Sequence, residues 1–407
     1  MDVGDAPVTR AFKFRFYPTD SQAAELLRTF GCVRKVYNLA LAVRTEAWVQ
    51  RQERVNYYDT SAMLTAWKKT EELAFLTEVS SVPLQQTLRH LHVAFANFYS
   101  ERARHPRFKS RKKSRRSAEY TTSAFRYDDG RLTLAKMRDP LNIVWSRRLP
   151  DGVSPSTVTV SQDSAGRWFV SLRCQDPTVT TLPPTTSAIG IDVGLDHLLV
   201  LSAGEKITNL RLERRDRKRL ARAQKALARR ACGNGANRIK ARRKVARIHA
   251  RIADRRRDHL HKITTRLVRE NQTLVIEDLA VRNMVKNRRL ARAISDAGWA
   301  QFREMLEYKA VWYGRDVITV NRWFHSSKLC SACGVRRETM PLSTRRWTCT
   351  CGVEHDRDIN AARNIMAAEL AASACGADVR PQRNTPSGRL AEKQESPLPS
   401  GRGEVNP

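Results

Sequence analysis

Residues 330–362 contain two close pairs of cysteines and, directly after them, an acidic helix start: Cys330-Ser-Ala-Cys333, Cys349-Thr-Cys351 and His355-Asp-Arg-Asp-Ile-Asn-Ala-Ala362. Four thiols at this spacing suit the closed tetrahedral coordination of Zn²⁺, which leaves no position open for catalysis. A redox role is the main alternative, but four thiols favour a closed site. The sequence therefore predicts a structural zinc knuckle with the ligands Cys330, Cys333, Cys349 and Cys351.

The second pair of cysteines is irregular because only Thr350 separates its members. This shorter loop strains the usual geometry of a zinc knuckle, so we expect a different affinity or local geometry. His325 lies shortly before the first pair and is a spare ligand, although four cysteines suffice.

Two carboxylates upstream of the knuckle follow apolar, strand-like runs. Asp192 lies in Ala188-Ile-Gly-Ile-Asp-Val-Gly194, and Glu277 lies in Leu274-Val-Ile-Glu-Asp-Leu279. A charge in such a setting is costly unless a metal or another partner compensates it. These two acids are therefore candidate metal ligands, together with Asp358 at the helix start after the cysteines.

The order of the three acids fits an RNase H-like sheet, in which an Asp on the first strand, a Glu on a central strand and an Asp on a late helix converge. Mg²⁺ prefers such oxygen ligands, and two ions about 3.5–4 Å apart can activate water and stabilise the leaving oxygen of a phosphodiester. We therefore predict metal-dependent cleavage by Asp192, Glu277 and Asp358. Taken singly, Asp356 or Asp358 can be a helix cap, and Glu277 or Asp278 a strand end.

The composition points to a polyanionic partner. The 407 residues carry a formal net charge of +33, with a pI near 10.6, which favours nucleic acid. A ribosomal or histone-like binder is the alternative, but 41% hydrophobic residues allow a sizeable core. We expect no membrane span and no secretory signal. The remaining cysteines are scattered singly, which favours a reducing cytoplasm over a disulfide framework.

The first half of the chain reads as a strand, a group of helices and further strands. Phe12, Phe14 and Phe16 alternate with basic residues, and Thr19-Asp-Ser-Gln22 resembles a capping box that opens a helix. Helical spacing of apolar residues continues to about residue 100. From 118 to 176 the pattern predicts strands, which we expect to pair with the Phe12 strand in a small β-barrel.

Basic residues are concentrated in three places. Residues 102–116 form a dense basic run, and residues 211–230 and 237–269 predict long Arg-rich helices. Solvated surface is the simpler interpretation of each. We favour contact with a nucleic-acid backbone, and the candidate residues in the first run are Arg107, Lys109, Arg111, Lys112 and Lys113.

On the basis of its motifs, the C-terminal half resembles the TnpB proteins of bacterial insertion sequences, which are relatives of type V CRISPR effector nucleases. The resemblance is clear from about residue 188 to 370 and weaker upstream, where Pro106-Arg-Phe-Lys109 also fits. The matching motifs are Gly190-Ile-Asp-Val-Gly194, Glu277-Asp-Leu-Ala-Val-Arg-Asn-Met284, Ser295-Asp-Ala-Gly-Trp299, Tyr308-Lys-Ala-Val-Trp-Tyr-Gly314, Cys330-Ser-Ala-Cys333 and His355-Asp-Arg-Asp-Ile-Asn-Ala-Ala362.

The resemblance implies a RuvC-like nuclease domain that holds the three acids and is interrupted by the zinc knuckle. It also implies a guide RNA from the transposon end that pairs with one strand of a double-stranded DNA target, while the protein reads a short adjacent DNA motif. By the family pattern the third acid is Asp358, with Asp356 as the runner-up. Zn²⁺, Mg²⁺ and the guide RNA are the implied cofactors.

The predicted fold is therefore α/β with all-β and helical parts. Its segments are 1–18 (first strand of a wedge β-barrel), 19–117 (helical recognition bundle with a basic arm), 118–176 (rest of the barrel), 177–187 (linker), 188–325 (RuvC-like nuclease domain before the knuckle), 326–353 (zinc knuckle), 354–375 (RuvC-like nuclease domain after the knuckle) and 376–407 (disordered tail).

Two other functions stay open at this point. One is a transposase that acts directly on transposon ends, although its acidic set would usually finish with Glu. The other is a catalytically silent RNA-guided repressor, which would be expected to have lost an acid. Because all three acids are present, we expect an active nuclease.

Overall fold

The computed structural model describes residues 8–230, 235–341 and 343–374. Two compact units make up the chain: one contains the residues up to Thr181 together with Leu212–Arg255, and the other contains Leu182–Arg211 and the residues from Arg256 onward. The predicted disordered tail at 376–407 lies outside the described residues. Within the described ranges, no helix has the length and the apolar character needed to cross a membrane.

The first unit contains an antiparallel sheet in which the N-terminal strand pairs on both sides. Its spatial order is β2-β6-β7-β1-β5, and a separate hairpin joins β3 to β4. The strands are β1 (Val8–Phe16), β2 (Arg116–Thr121), β3 (Phe125–Asp128), β4 (Arg131–Leu134), β5 (Ile143–Val144), β6 (Thr157–Gln162) and β7 (Trp168–Asp176).

The predicted pairing of the Phe12 strand with the later strands is confirmed, because β1 pairs with β7 along its whole length, from Val8 opposite Asp176 to Phe16 opposite Trp168. Phe12, Phe14 and Phe16 are buried, as their alternation indicated. The closed barrel is not confirmed. In the described ladder β2 and β5 are edge strands, so the hydrogen bonds form an open sheet.

Three helices follow β1, in the part of the chain where the sequence predicted helices up to about residue 100: α1 (Asp20–Arg51), α2 (Tyr57–Trp67) and α3 (Ser81–Tyr99). Short 3₁₀ helices lie at Glu71–Thr77 and Thr122–Ala124. The predicted capping box is present at the start of α1. The backbone amide of Gln22 donates to the Thr19 hydroxyl oxygen (3.2 Å), and the backbone amide of Thr19 donates to the Gln22 side-chain oxygen (3.1 Å). One apolar core joins these helices to the sheet.

Two Arg-rich helices complete the first unit: α4 (Leu212–Ala228) and α5 (Ala236–Glu270), the latter continuing past Arg255 into the second unit. Leu220, Ile248 and Ile252 belong to the small apolar cluster that packs α4 on α5. Both helices were predicted, but within the nuclease segment 188–325. The structure instead groups residues 212–255 with the first unit. An ion pair there joins Arg167, between β6 and β7, to Asp254 (2.5 Å).

The second unit contains a mixed sheet in the order β10-β9-β8-β11-β12. Its strands are β8 (Ala188–Val193), β9 (His197–Leu201), β10 (Lys206–Thr208), β11 (Thr273–Glu277) and β12 (Asp316–Val320). The pairs β8–β11 and β11–β12 are parallel, whereas β9 runs antiparallel to β8. The mixed sheet agrees with the predicted α/β class of this part of the chain, and apolar residues of β8, β9 and β11 are buried together.

The second unit also includes a two-stranded ribbon, β13 (Arg346–Thr348) and β14 (Glu354–Asp356), within the cysteine-rich segment. Its helices are α6 (Val281–Met284), α7 (Ala291–Ala297), α8 (Trp299–Tyr313) and α9 (Arg357–Ala374). Because α9 begins directly after β14, the ribbon and the helix that carries Asp358 are continuous.

Candidate active site and nucleic-acid interface

Strand register brings Asp192 and Glu277 to the same level of the sheet. The parallel strands β8 and β11 are paired from Ala188 opposite Thr273 to Ile191 opposite Ile276. Asp192 and Glu277 are the next residue on each strand, so they lie side by side at the carboxyl ends of the two strands. In open α/β sheets this end of the strands is where ligands bind.

The third acid is brought to the sheet by the packing of α9 on β8. Gly190 makes this packing possible, because a Cβ at that position would lie 2.2 Å from the Ala362 carbonyl oxygen and 2.8 Å from Met366. Asp358 is one helical turn before Ala362, about 6 Å along the axis. Asp192 is two residues after Gly190, about 6.6 Å along the strand. We call Asp192, Glu277 and Asp358 the acidic edge.

The charges of Glu277 and Asp358 both act on Asp192. Burial, followed by the negative charges of Glu277 and Asp358, raises the pKa of Asp192 to about 8. Some of the Asp192 side chain is exposed, but protein atoms surround its carboxyl group closely enough to disfavour the charge. Burial, followed by the charge of Asp278, also raises the pKa of Glu277. A cation at this edge would relieve the cost of holding these charges together.

The acids are nevertheless less tightly gathered than the cysteines. Across the described ranges, the four cysteines are the only group of three or more His, Cys, Asp or Glu side chains whose ligand atoms all lie within 4.8 Å of one another. Like-charged carboxylates repel at such distances, whereas neutral thiols do not. The residue types of the acidic edge still match the oxygen donors that Mg²⁺ requires.

The neighbouring acids have other partners, which separates them from the acidic edge. Asp278 accepts hydrogen bonds from Arg303 (2.8 Å) and Arg322, and the Arg303 hydrogen bond holds its pKa below the usual range. Asp356 pairs with Lys206 (2.6 Å) and accepts from the backbone amides of Asp358 and Ile359 (both 3.2 Å). Asp356 is therefore a helix cap, the role that the sequence left open for it.

The four predicted zinc ligands converge. The sulfur atoms of Cys330 and Cys351 are 3.8 Å apart, and those of Cys333 and Cys349 are 3.6 Å apart. Zinc–sulfur bonds of about 2.3 Å place the corners of a tetrahedron about 3.8 Å apart. A hydrogen bond from the Cys351 backbone lowers the pKa of Cys349 to about 6 and favours its thiolate. Despite a backbone hydrogen bond from Val335 that lowers it, the hydrogen bonds with the neighbouring thiols raise the pKa of Cys333 to about 12. The set fits zinc, and the short Cys-x-Cys loop does not prevent convergence.

The histidine beside the cluster is not the one that the sequence suggested. His325 is exposed and does not belong to the group of converging ligands. His355 is buried instead, with its Nε2 atom 3.0 Å from the Cys330 sulfur and its ring 4.7 Å from that of Trp347. Its position was not predicted, because only the pairing of β13 with β14 folds it back over the cysteines.

The predicted basic arm is attached to α1. The backbone of Lys109 makes two hydrogen bonds with the Asn38 side chain (2.8 and 2.9 Å). The ammonium group of Lys109 lies 3.8 Å from the centre of the Tyr37 ring. Burial lowers the pKa of Lys109. The other four candidates are exposed: Arg107, Arg111, Lys112 and Lys113. Lys109 thus anchors the arm, while its neighbours are available to a partner.

The sequence did not identify a cleft of about 550 Å³ between α4 and α5. We call it the basic cleft. It contains Ile248 and a single acid, Asp216, and its cations are Arg219, Lys240, Arg243, Lys244, Arg247 and Arg251. Nearby, burial and then the positive charges of Arg111, Arg34 and Arg243 lower the pKa of Arg116. The signal was hidden because these cations are spread over two helices that only tertiary packing brings together.

Three family models match different parts of the chain. Residues 169–288 match a family described as "Probable transposase", and residues 299–365 match "Cas12f1-like, TNB domain". Residues 6–53 match a family described as "Helix-turn-helix domain". In the structure this last segment is the strand β1 followed by the single 32-residue helix α1, rather than two helices joined by a turn.

Curated relatives cover almost the whole chain. One from Streptomyces pristinaespiralis is 66% identical over 389 residues, covering 95% of this chain and 96% of its own. InsQ from Escherichia coli (strain K12) is 35% identical, covering 93% and 97%. Both are named "Putative RNA-guided DNA endonuclease". A solved Cas12f1-sgRNA-target DNA complex matches 88% of this chain with a TM-score of 0.55 and 14% identity, which is a likeness of fold.

Proposed function

Because the chain belongs to the TnpB family, we propose that it is an RNA-guided DNA endonuclease that hydrolyses target DNA at the acidic edge with Mg²⁺. This proposal is supported by the strand register and by the helix packing at the acidic edge. Strand register aligns Asp192 with Glu277, and the close packing at Gly190 brings the start of α9 to the same end of β8. The raised pKa of Asp192 supports a site at which a cation would favour the ionised carboxylate.

The side chains around the edge have distinct roles in this proposal. Mg²⁺ bound there would activate water and stabilise the leaving oxygen of the phosphodiester. Asp192, Glu277 and Asp358 supply the oxygen ligands. Arg303 and Arg322 hold Asp278 in ion pairs, so Glu277 is left to the metal.

The basic residues of the chain bind two nucleic-acid partners in this proposal: a guide RNA from the transposon end and the double-stranded DNA target. The exposed cations of the basic arm and of the basic cleft are suited to phosphate backbones, which carry no sequence information themselves. Base pairing with the guide then supplies specificity, while the protein reads a short adjacent DNA motif. We place the protein in the cytoplasm, where thiols stay reduced and available to zinc.

The proposal is tested with Asp192→Asn in the full-length protein. Removal of a metal ligand should lower the rate of DNA cleavage by more than about 100-fold, beyond the range usual for outer-shell partners. Binding of RNA and of target DNA should be unchanged, because Asn keeps the shape of the side chain. Glu205→Gln is the matched control, because Glu205 is an exposed acid of the same unit that pairs with Arg266. Unimpaired cleavage by Asp192→Asn would overturn the site assignment.

Two further measurements separate the alternatives. Sequencing of the RNA that co-purifies with the protein should yield one abundant species that ends in transposon-flanking sequence. The "Probable transposase" description of the matched family keeps strand transfer open as a second candidate. Hydrolysis leaves free DNA ends, whereas strand transfer joins them to a new duplex. Joined products from the purified protein would favour the second candidate.

A further inference from the structure

Two buried asparagines on α9 connect the zinc knuckle to the helix that carries Asp358. Asn360 and Asn364 lie one helical turn apart, and only 1% and 2% of their surfaces are exposed. A buried amide is costly unless its donors and acceptors are paired. Asn360 is also only two residues from Asp358. The partners of these amides therefore bear on how the third acid is held.

Both side chains bind the backbone next to the first zinc ligand. Asn360 accepts a hydrogen bond from the Ser331 amide (2.9 Å) and donates to the Leu329 carbonyl oxygen (2.7 Å). Asn364 donates to the same Leu329 oxygen and to that of Ser326, each at 2.7 Å. Leu329 and Ser331 flank Cys330. The two amides thus clasp the loop that the cysteine cluster fixes.

The second half of the knuckle holds the beginning of the same helix. The Arg357 amide donates to the Arg345 carbonyl oxygen (2.9 Å), and the Arg345 guanidinium lies 3.8 Å from the Asp358 carboxylate. Asp358 is therefore bracketed by contacts to both halves of the knuckle. Within the first two turns of α9, these contacts restrict the position of its carboxylate independently of the packing at Gly190.

We infer that Asn360 and Asn364 are positioning residues that transmit the folded state of the zinc knuckle to Asp358. The inference rests on the proposed function, because it gives zinc a role in the magnesium site. When the cysteines are loaded, the loop at Leu329 is rigid and the clasp fixes the start of α9. When zinc is lost, the carbonyl partners of the clasp move, and Asp358 loses its fixed position. Zinc loading then controls the affinity for Mg²⁺.

The first test is Asn360→Asp, which keeps the shape and the acceptor but replaces the donor to Leu329 with a repelling oxygen. The half-saturating Mg²⁺ concentration for cleavage should rise about 10- to 100-fold. Zinc content and RNA binding should be unchanged. Asn364→Asp, which removes the donor to two carbonyl oxygens, should act in the same direction and serves as the second variant if the first does not fold.

The matched control is Asn271→Asp. Asn271 is also buried, accepts from the Ser187 hydroxyl (3.0 Å) and donates to the Leu267 carbonyl oxygen (3.0 Å), away from the knuckle. This change should lower the Tm as much as Asn360→Asp does but leave the Mg²⁺ dependence of cleavage alone. If both variants lower the Tm alike and neither changes the Mg²⁺ dependence, the asparagines only stabilise the fold and the inference is overturned. Loss of zinc from Asn360→Asp would also overturn it.

The second test needs no cleavage. Backbone hydrogen exchange over Arg357–Asn364 is measured in the wild-type protein before and after zinc removal. Exchange should accelerate in these two turns when zinc leaves, and it should already be fast in zinc-loaded Asn360→Asp. Unchanged protection of α9 after zinc removal would overturn the inference. Because this readout is independent of activity, a protein that fails to cut DNA would refute the proposed function and still leave the clasp testable.

Discussion

The acidic edge and the basic cleft both gather side chains of like charge, but they hold them differently. Asp192 and Glu277 are short side chains on paired strands, and Asp358 is held at a helix start. The cations of the basic cleft are long side chains on two helices, in an open groove. Short side chains on a rigid sheet suit a small cation with strict geometry, whereas long flexible ones suit a phosphate chain of variable path.

The difference extends to how each region bears its charge when no partner is bound. The carboxyl group of Asp192 is surrounded by protein, and this burial together with the charges of Glu277 and Asp358 raises its pKa to about 8. The cations of the cleft are exposed, so water and salt ions screen their charge. The acidic edge should therefore respond to pH and to divalent ions, and the basic cleft to ionic strength.

The largest effect on cleavage is expected at Asp358, whose neighbour Asp356 has different partners. Asp358→Asn should lower cleavage by more than about 100-fold with little loss of stability. Asp356→Ala removes the helix cap and the Lys206 ion pair, so the free energy of unfolding should fall by about 0.5–2 kcal/mol while most cleavage remains. Cleavage rates and urea unfolding of both variants measure the contrast. The opposite ranking of cleavage would make Asp356 the third acid.

The free energy of unfolding should depend on pH through the protonation of Asp192. In the unfolded chain Asp192 ionises near pH 4, whereas in the fold its pKa is about 8. The folded state therefore holds the extra proton between these values, and in magnesium-free buffer this group makes stability fall as pH rises through that window, by at most about 1.4 kcal/mol per pH unit. Urea unfolding from pH 5 to 8 should show this slope in the wild type and a shallower one in Asp192→Asn. Identical slopes would mean that Asp192 is ionised in the fold.

A smaller effect is expected at the contact that brings α9 to the sheet. Gly190→Ala forces a Cβ against the Ala362 backbone, so the free energy of unfolding should fall by about 1–3 kcal/mol and cleavage should fall with it. Gly31→Ala is the control, because a Cβ there meets no atom within 4 Å in the middle of α1, and it should stabilise the protein by about 0.5–1 kcal/mol. Unaltered cleavage by Gly190→Ala would separate Asp358 from the acidic edge.

The contrast also explains how much could be predicted from the sequence. Asp192 and Glu277 end apolar runs, so the strands and their acids were predicted from local pattern, and the four cysteines were predicted from spacing. The family pattern favoured Asp358 over Asp356, and the contacts of Asp356 with Lys206 and with the helix amides add that Asp356 caps α9, while the role of Asp358 stays a prediction. His355, the asparagine clasp and the basic cleft were missed, because each depends on packing between segments that are distant in the chain.

The smallest effect is expected in the basic cleft, because six cations contribute to RNA binding there. Replacing Arg243 and Arg247 with alanine should weaken RNA binding and make the slope of log affinity against log salt shallower by about 0.7–0.9 for each lost phosphate contact. The matched control removes Arg222 and Lys225, two exposed cations of α4 outside the cleft. The two double variants have the same net charge, so an equal change in slope would show that total charge, and not the cleft, governs RNA binding. The cleft variant should show the larger change in slope, with the half-saturating Mg²⁺ concentration for cleavage unchanged. This result would show that RNA binding at the basic cleft and Mg²⁺ binding at the acidic edge are energetically independent.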